Sequence, residues 1–262
     1  MPAGFTSPAI GHVAGVSARS SNVRMETLGD LKTLSEKLNP AIGYYNPTSL
    51  AEMEFWGQSQ EATIGFLRQA EIKHGRVAMA AFVGFIFGSN NIVFPWALTL
   101  EGTSFADIAA AGGPAAQFDA LPTIAKLQIL GLIGLLEIWS ESNYAQEAMG
   151  NTHYMRGGKP GVMPSFAPLR DTIGQPPLDL FDPFGFSKNA SPEKKEKGLL
   201  MEINNGRLAQ IGIMAFVAES KIPGSVPGLS GFGIKPYAGE PMAFFSASDN
   251  LPYVDAMSKF HF

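Results

Sequence analysis

A charged motif occurs twice in this chain, each time at the start of an apolar stretch. The first motif, residues 71–82, reads EIKHGRVAMAAF, and the second motif, residues 202–213, reads EINNGRLAQIGI. Both are compatible with a helix, and both lead into residues that resemble a lipid-facing segment. A charge inside a membrane costs at least about 2.5–3.5 kcal/mol. The fold must therefore bring these charges to partners of opposite sign.

The distribution of charged residues along the sequence predicts three long helices. The chain has three charge-poor apolar stretches, at residues 77–87, 127–139 and 208–218. Each is too short to supply the roughly 20 residues that cross a bilayer. When each is extended through the residues that flank it, the sequence predicts helices over about 61–89, 123–142 and 195–220. The alternative is three buried helices of a soluble protein.

The loops between these stretches favour the membrane interpretation. Residues 90–122 contain three acids and no Lys or Arg, whereas residues 143–198 contain seven Lys or Arg. This alternation follows the positive-inside rule, and it puts the N-terminus and the second loop on one side of the membrane. The repeat makes the first and third helices matching halves. We therefore predict an all-α membrane protein with three transmembrane helices, the first and third crossed and pseudo-symmetric, and short amphipathic interfacial helices.

Composition excludes several classes of function. The chain has no cysteine, so disulfides, thiolate metal sites and cysteine nucleophiles are impossible. A net charge of −4 gives no basic field for nucleic acid, and no catalytic motif stands out, so an enzyme is not expected. Residues 1–25 contain no acid and are typical of a plastid transit segment or a disordered tail. The predicted helical domain spans 26–225, with a tail over 226–262.

Helix geometry indicates which charges of the two motifs can pair. Glu71 and His74 share a helix face, whereas Arg76 lies about 140° round the helix from Glu71 and is poorly placed to neutralise it. The equivalent residues of the second motif are Glu202, Asn205 and Arg207. If the two helices cross, each glutamate meets the arginine of the other motif. Small residues beside the charges permit such a close approach.

His74 and Asn205 hold equivalent positions, and ion pairing does not explain them. Each has a lone pair on nitrogen or oxygen and no charge, which suits a neutral metal complex that needs one axial ligand. A carboxylate whose charge is cancelled by Arg is also effectively a neutral ligand. The alternative is that these residues only make ion pairs and polar contacts that hold the bundle together.

Glu137 is a lone carboxylate in the second apolar stretch. No basic residue lies within ten positions of it on either side. Such a carboxylate must be protonated, paired with another helix or bound to a cation. We favour a cation ligand, with a protonated acid as the alternative. Gln128 points to the opposite side of the helix and is a weaker candidate.

Taken in order, these motifs resemble the light-harvesting chlorophyll-binding superfamily. EIKHGRVAM and EINNGRLAQIG are similar to its first and third membrane helices, and FDPFGF to the turn before its third helix; the likeness covers roughly residues 40–225. GYYNPTSL, HYMRGGKPG and KIPGSVPGL resemble the chlorophyll a/c antennae of the red lineage. Within that group the likeness is greatest to the dinoflagellate antennae that carry peridinin, and fucoxanthin–chlorophyll proteins come next.

The resemblance implies which residues ligate chlorophyll magnesium. These are Glu71, His74, Glu137, Glu202 and Asn205, with Arg207 and Arg76 as countercharges of Glu71 and Glu202 respectively. Glu219 stands where many relatives have a Gln ligand, and Lys221 is its one obvious partner. Gln210 replaces a usual Met and could bond to a pigment or ligate it. His153 is a further loop candidate, for which a solvated histidine is the alternative.

The resemblance also implies carotenoids in grooves beside the crossed helices, with their ends near turns that contain Asn46, Pro47, Asp182 and Pro183. The implied pigments are chlorophyll a, chlorophyll c, and carotenoids of the peridinin or fucoxanthin and diadinoxanthin types. The implied function is an antenna of the plastid thylakoid membrane, with a stromal N-terminus and a lumenal C-terminus. Its partners would be a photosystem core, neighbouring antenna subunits and thylakoid lipids. A photoprotective quencher and a pigment-free membrane scaffold are the alternatives.

Overall fold

The computed structural model describes residues 26–166, 185, 189–241, 243–254 and 256, and these residues are largely helical. The helices are α1 (Leu28–Leu38), α2 (Gln60–Ser89), α3 (Phe105–Ala109), α4 (Pro114–Asp119), α5 (Thr123–Glu141), α6 (Asn143–Ala148) and α7 (Pro192–Lys221). The described residues contain no β-strand beyond one isolated bridge between Ala97 and Ser104. The prediction of an all-α chain is thus confirmed for this part of the protein. The three long helices begin and end within three residues of the predicted bounds.

Side-chain caps explain why these helices begin where they do. The Ser59 hydroxyl accepts a hydrogen bond from the amide of Ala62 at the start of α2. Ser191 caps α7 in the same way, and Pro192 follows at the first helical position. Thr27 and Asp30 form a reciprocal capping box before α1. Each cap satisfies an amide that the helix itself leaves without a partner.

α2 and α7 cross at the glycines of the two motifs. A Cβ atom placed on Gly206 would lie 2.9 Å from the Cα of Gly75, and one placed on Gly75 would lie 3.0 Å from the Cα of Gly206. Only glycine therefore permits the two backbones to approach this closely. Beyond the crossing, the Phe216 ring stacks with those of Phe82 and Phe85, each at a centroid distance of 5.0 Å. The predicted crossing of the first and third long helices is confirmed.

α5 packs far less closely than α2 and α7 do. Within the described residues, Thr123–Glu141 is the one helix that is long and apolar enough to cross a membrane, and only 11% of this span is buried in protein. α2 and α7 are longer, but charged residues interrupt their apolar sequence. The structure thus contains the three predicted long helices and one clearly apolar span.

Candidate functional site

Two reciprocal ion pairs join α2 and α7 at the crossing. The Nε of Arg207 donates to Oε1 of Glu71 at 2.7 Å, and the Nε of Arg76 donates to Oε1 of Glu202 at 2.6 Å. These are the pairs that helix geometry predicted, so that prediction is confirmed. Each motif supplies the countercharge that the other motif lacks.

Arg68 adds a second cation to the first pair, and the sequence analysis missed it. Its Nη1 donates to Oε2 of Glu71, while its Nε donates to Oε2 of Glu26 at 3.2 Å. Arg68 precedes Glu71 by three positions, a spacing that brings side chains together on a helix, so the signal was present. The second repeat has Leu199 three positions before Glu202. The two halves therefore match in geometry but differ in charge.

His74 is oriented as an axial ligand requires. Its Nδ1 lies 2.7 Å from the carbonyl oxygen of Ala70, which can only accept, so Nδ1 carries the proton. Nε2 then keeps its lone pair, and the exposed ring points away from the crossing. A hydrogen bond of this kind commonly fixes the tautomer of a metal-ligating histidine. Asn205 is also exposed, and its side chain has no hydrogen-bond partner among the described residues.

Glu137 takes its countercharge from α2. The Nζ of Lys73 donates to Oε2 of Glu137 at 2.6 Å and lies 3.6 Å from Oε1 of Glu141. Of the three states open to this carboxylate, pairing with another helix is therefore the one the structure contains. Oε1 of Glu137 has no partner in the described part of the chain, so a charge-balanced carboxylate with one free oxygen faces outward. The cation-ligand role that we favoured for Glu137 stays a prediction.

His153 joins the loop after α6 to the end of α5. Its Nε2 lies 2.7 Å from Oε2 of Glu141, and its Nδ1 accepts from the amide of Met155 at 3.2 Å. Burial and the Glu141 charge raise the pKa of Tyr154 to about 12, so its hydroxyl keeps the proton that it donates to Glu141. Both ring nitrogens of His153 are thus engaged with protein. A role as a pigment ligand would require one of these bonds to break.

Glu219 is buried and organises the loop that follows α7. It accepts from the amide of Gly224 at 2.8 Å and from that of Val226 at 2.9 Å, one bond to each carboxylate oxygen. Lys221, the one obvious partner that the sequence offered for Glu219, does not bond to it. Lys221 instead donates to backbone carbonyl oxygens at residues 238 and 239. Backbone amides, which sequence patterns do not display, satisfy this carboxylate.

The remaining candidates lie in different surroundings. Gln210 is half-buried in the crossing, where its Nε2 lies 3.5 Å from the carbonyl oxygen of Glu71, and Gln128 is exposed on α5. Asn46 closes a turn with Pro47 by accepting from the amide of Ser49 at 3.3 Å. The predicted residues Asp182 and Pro183 lie outside the described residues.

Two cavities lie along the crossed helices, and one of them adjoins Glu71. A cavity of about 320 Å³ beside Glu71 is lined by Leu31 and Leu34 of α1 and by Tyr44. A larger groove of about 650 Å³ lies between α2 and α7 beyond the crossing, and four phenylalanines line it: Phe82, Phe85, Phe216 and Phe232. Large flat or elongated apolar groups fit such surroundings, whereas small polar molecules do not. The cavity beside Glu71 is also lined by Arg68 and Arg207, whereas the aromatic groove is lined by none of the candidate ligands. The groove therefore fits an elongated apolar group that needs no axial contact.

Comparison with known proteins gives the same result. A family model described as chlorophyll A-B binding protein matches residues 31–221, which include both motifs and α5. The chain is 29% identical over 192 residues to a chloroplastic fucoxanthin-chlorophyll a-c binding protein of Trieres chinensis, an alignment that covers 72% of this chain and 78% of the relative. It is 30% identical over 190 residues to fucoxanthin-chlorophyll a-c binding protein F of Phaeodactylum tricornutum, an alignment that covers 70% of this chain and 76% of the relative. The chain therefore belongs to the chlorophyll A-B binding protein family, among relatives of the red-lineage chlorophyll a/c type.

Proposed function

We propose that this protein is a light-harvesting antenna that holds chlorophylls and carotenoids and passes excitation energy to a photosystem. The observation that carries the proposal is the crossed pair of α2 and α7, in which two charge-balanced glutamates, Glu71 and Glu202, accompany an outward-facing His74 and Asn205. The relatives are named as fucoxanthin-chlorophyll a-c binding proteins. Chlorophyll a, chlorophyll c and a carotenoid are therefore the pigments we assign to this chain.

The pigments absorb light and carry the excited state, and the chain's residues fix where they lie. We assign axial magnesium contacts to Glu71, His74, Glu137, Glu202 and Asn205. Arg207 and Arg76, with Lys73 for Glu137, cancel the charges of the three carboxylates, so each acts as a nearly neutral ligand. We keep Glu219, Gln128, Gln210 and His153 as secondary candidates. Backbone amides hold both oxygens of Glu219, and both ring nitrogens of His153 are bonded to protein; the partners of Glu71, by contrast, are the cations that balance its charge.

We further propose that α2, α5 and α7 all cross the thylakoid membrane of the plastid. α2 and α7 have 30 residues each, so at about 1.5 Å per residue each is about 45 Å long, which exceeds a hydrocarbon core of about 30 Å. Mutual neutralisation at the crossing lets the charged motifs enter the membrane. The loop charges support a stromal N-terminus and a lumenal C-terminus, with the helical domain over 26–225 and the tail over 226–262.

The same proposal includes the carotenoids and the partners. The aromatic groove between α2 and α7 fits an elongated polyene. We assign a carotenoid end group to the turn at Asn46 and Pro47, which a backbone hydrogen bond closes. Whether the carotenoid is of the peridinin or the fucoxanthin type is decided by pigment analysis of the purified protein. The partners we assign are a photosystem core, neighbouring antenna subunits and thylakoid lipids. An absorption spectrum without bound chlorophyll would overturn the antenna proposal.

Replacing His74 by alanine is expected to remove about one chlorophyll and to leave the fold intact. The side chain is exposed and takes no part in the crossing, so its loss deletes a ligand without opening a cavity. The measurement is the chlorophyll-to-protein ratio of the purified complex, with far-UV circular dichroism as the check on folding.

Two matched variants control the His74 experiment. His74→Asn should retain the pigment, because Asn205 holds the equivalent position in the second motif. Val77→Ala truncates an exposed neighbour on the same helix and should change nothing. An unchanged chlorophyll ratio in His74→Ala would show that His74 is not a ligand.

A further inference from the structure

α5 is attached to the rest of the protein chiefly at its two ends. Little of its length is buried, so its sides make few contacts with α2 and α7. At its C-terminal end, Lys73 bonds to Glu137 and lies near Glu141. At its N-terminal end, Lys126 is the point of attachment. The C-terminal end is held further by Glu141, which bonds to His153 and Tyr154, and by Trp139, whose ring stacks on Phe166. The N-terminal end depends mainly on the surroundings of Lys126.

The contact at Lys126 is an ion pair with the C-terminal part of the chain. Its Nζ donates to Oδ2 of Asp249 at 2.6 Å, and the two side chains are 0% and 2% exposed. The ammonium also donates to the backbone carbonyl oxygen of Asp119 at 3.1 Å and lies 5.7 Å from the centre of the Phe118 ring. Lys126 is therefore enclosed between α4 and the segment around Asp249, which lies more than twenty positions after the end of α7.

Asp249 is held just as firmly by its own surroundings. Its Oδ1 accepts from the hydroxyl of Thr123 at 2.8 Å, and its Oδ2 accepts from the amide of Ser246 at 2.8 Å. The Phe244 ring packs edge-on against Phe118 at a centroid distance of 5.1 Å. We call residues 244–250, which make these contacts, the C-terminal strap. Every polar contact of the Asp249 carboxylate thus lies either within the strap or on the first turn of α5.

A buried ion pair adds little net stability, because the cost of removing two charges from water offsets their attraction. It does add geometric definition, since the two charges must meet and any other arrangement leaves one unpaired. An ion pair at the N-terminal end of a loosely packed helix is therefore a means of fixing position. Without it, a short turn over residues 120–122 still joins this end of α5 to α4, but the angle of α5 is less well defined.

We propose that the C-terminal strap fixes the position of the N-terminal end of α5, and that Asp249 is a positioning residue for the chlorophyll that α5 carries at Glu137. The second half of this statement rests on the proposed function, whereas the first half does not. Excitation transfer depends on the mutual orientation of pigments, so the strap contributes to function without touching a pigment.

Replacing Asp249 by asparagine is expected to release the N-terminal end of α5. The chain contains no cysteine, so two introduced cysteines label unique sites. Ile124→Cys on α5 and Met214→Cys on α7 are exposed positions for a pair of nitroxide labels. In the pigment-loaded protein, Asp249→Asn should broaden the label-to-label distance distribution roughly twofold and reduce the exciton circular dichroism. Thr123→Val removes the hydroxyl that donates to Asp249 but leaves the ion pair, so it should give a smaller broadening in the same direction.

Two further variants separate positioning from simple stabilisation. Glu101→Gln neutralises an exposed acid elsewhere in the loops and should leave the distribution unchanged. The double variant Lys126→Met, Asp249→Leu removes both charges, so it should recover thermal stability while the distribution stays broad. The strap proposal is overturned if Asp249→Asn leaves the distribution narrow, or if the double variant restores the narrow distribution. A wild-type protein without chlorophyll would overturn the proposed function alone, because the label distance is still measurable.

The strap should stay docked under mild acid. Burial raises the pKa of Asp249, but hydrogen bonds from Lys126, Ser246 and Thr123 outweigh that effect and hold the pKa below its ordinary value. The other acid nearby, Asp119, accepts from the hydroxyl of Tyr237 at 2.6 Å, and burial raises the pKa of that tyrosine, so it keeps its proton. A lowered folded-state pKa gives stability that is present above the unfolded value of about 3.9 and is lost as the pH falls through the lowered value. The distance distribution should therefore be unchanged between about pH 7.5 and pH 5 and broaden only below about pH 4; broadening already at pH 5 would contradict this prediction.

Discussion

Replacing Gly206 by leucine is expected to prevent α2 and α7 from crossing and to abolish pigment-loaded protein. The first carbon of any side chain at this position would lie 2.9 Å from the Cα of Gly75, which is backbone and cannot rotate away. The ion pairs on the two sides of this contact have distances of 2.6 and 2.7 Å, so separating the helices weakens both. Overpacking typically costs about 1–3 kcal/mol, and here the loss of both pairs adds to it. Gly206→Ala should destabilise the protein less, by an amount near the lower end of the overpacking range of about 1–3 kcal/mol.

The control for Gly206 is another glycine of the same helix. A Cβ atom on Gly198 would meet nothing within 4 Å, so Gly198→Leu changes the helix without crowding its partner. Leucine also favours a helix over glycine by roughly 1 kcal/mol, which should make this control neutral or slightly stabilising. The measurements are the pigment yield after refolding with pigments and the thermal midpoint of circular dichroism. Normal pigment yield in Gly206→Leu would show that the close contact is not needed.

The parts of the fold that sequence reasoning predicted are those set by local pattern. The bounds of α2, α5 and α7 follow from charge-poor stretches extended through their polar flanks. The pairs of Glu71 with Arg207 and Glu202 with Arg76 follow from helix geometry, because neither glutamate can reach the arginine of its own motif and the other motif supplies an equivalent one. Because the same motif occurs on both helices, the residue that each charge meets on the other helix can be identified within the motif. These long-range pairs were therefore predictable.

The parts that were missed depend on where separate elements meet. Lys73 reaches Glu137 because α5 lies beside α2, and Lys126 reaches Asp249 across 123 positions of sequence. No periodicity links either pair. For Glu219 the sequence suggested only Lys221 as a partner, because its actual partners are backbone amides, which every residue but proline has. Only Arg68 left a signal, its spacing of three from Glu71.

Arg68 also makes the two halves of the crossing unequal, and this inequality is testable. Glu71 is neutralised by Arg207 and by Arg68 together. Glu202 has Arg76 as its one cationic partner among the described residues, and Arg76 additionally donates to the carbonyl oxygen of Gly161 at 2.8 Å. The sequence repeat predicts equal halves, whereas the structure predicts that Arg76 matters more than Arg207.

Arg76→Leu is accordingly expected to destabilise the protein more than Arg207→Leu. The first change strands the half-buried carboxylate of Glu202, so the cost should approach but stay below the roughly 3–5 kcal/mol of a fully buried pair. The second leaves Glu71 with Arg68, so the cost should be clearly smaller and the pigment at Glu71 should be partly retained. The measurements are the free energy of unfolding and the chlorophyll-to-protein ratio of both variants under the same conditions.

Two combined variants complete the comparison of the halves. Arg68→Leu added to Arg207→Leu removes the second cation, so the double variant should become about as unstable as Arg76→Leu. Glu202→Leu added to Arg76→Leu removes the stranded charge, which should restore much of the stability while the pigment assigned to Glu202 stays absent. If Arg207→Leu alone destabilises the protein as much as Arg76→Leu, then Arg68 does not compensate Glu71 and the two halves act as equals. If instead the order is as expected, the countercharge next to each glutamate sets both the stability of the crossing and the retention of its pigment.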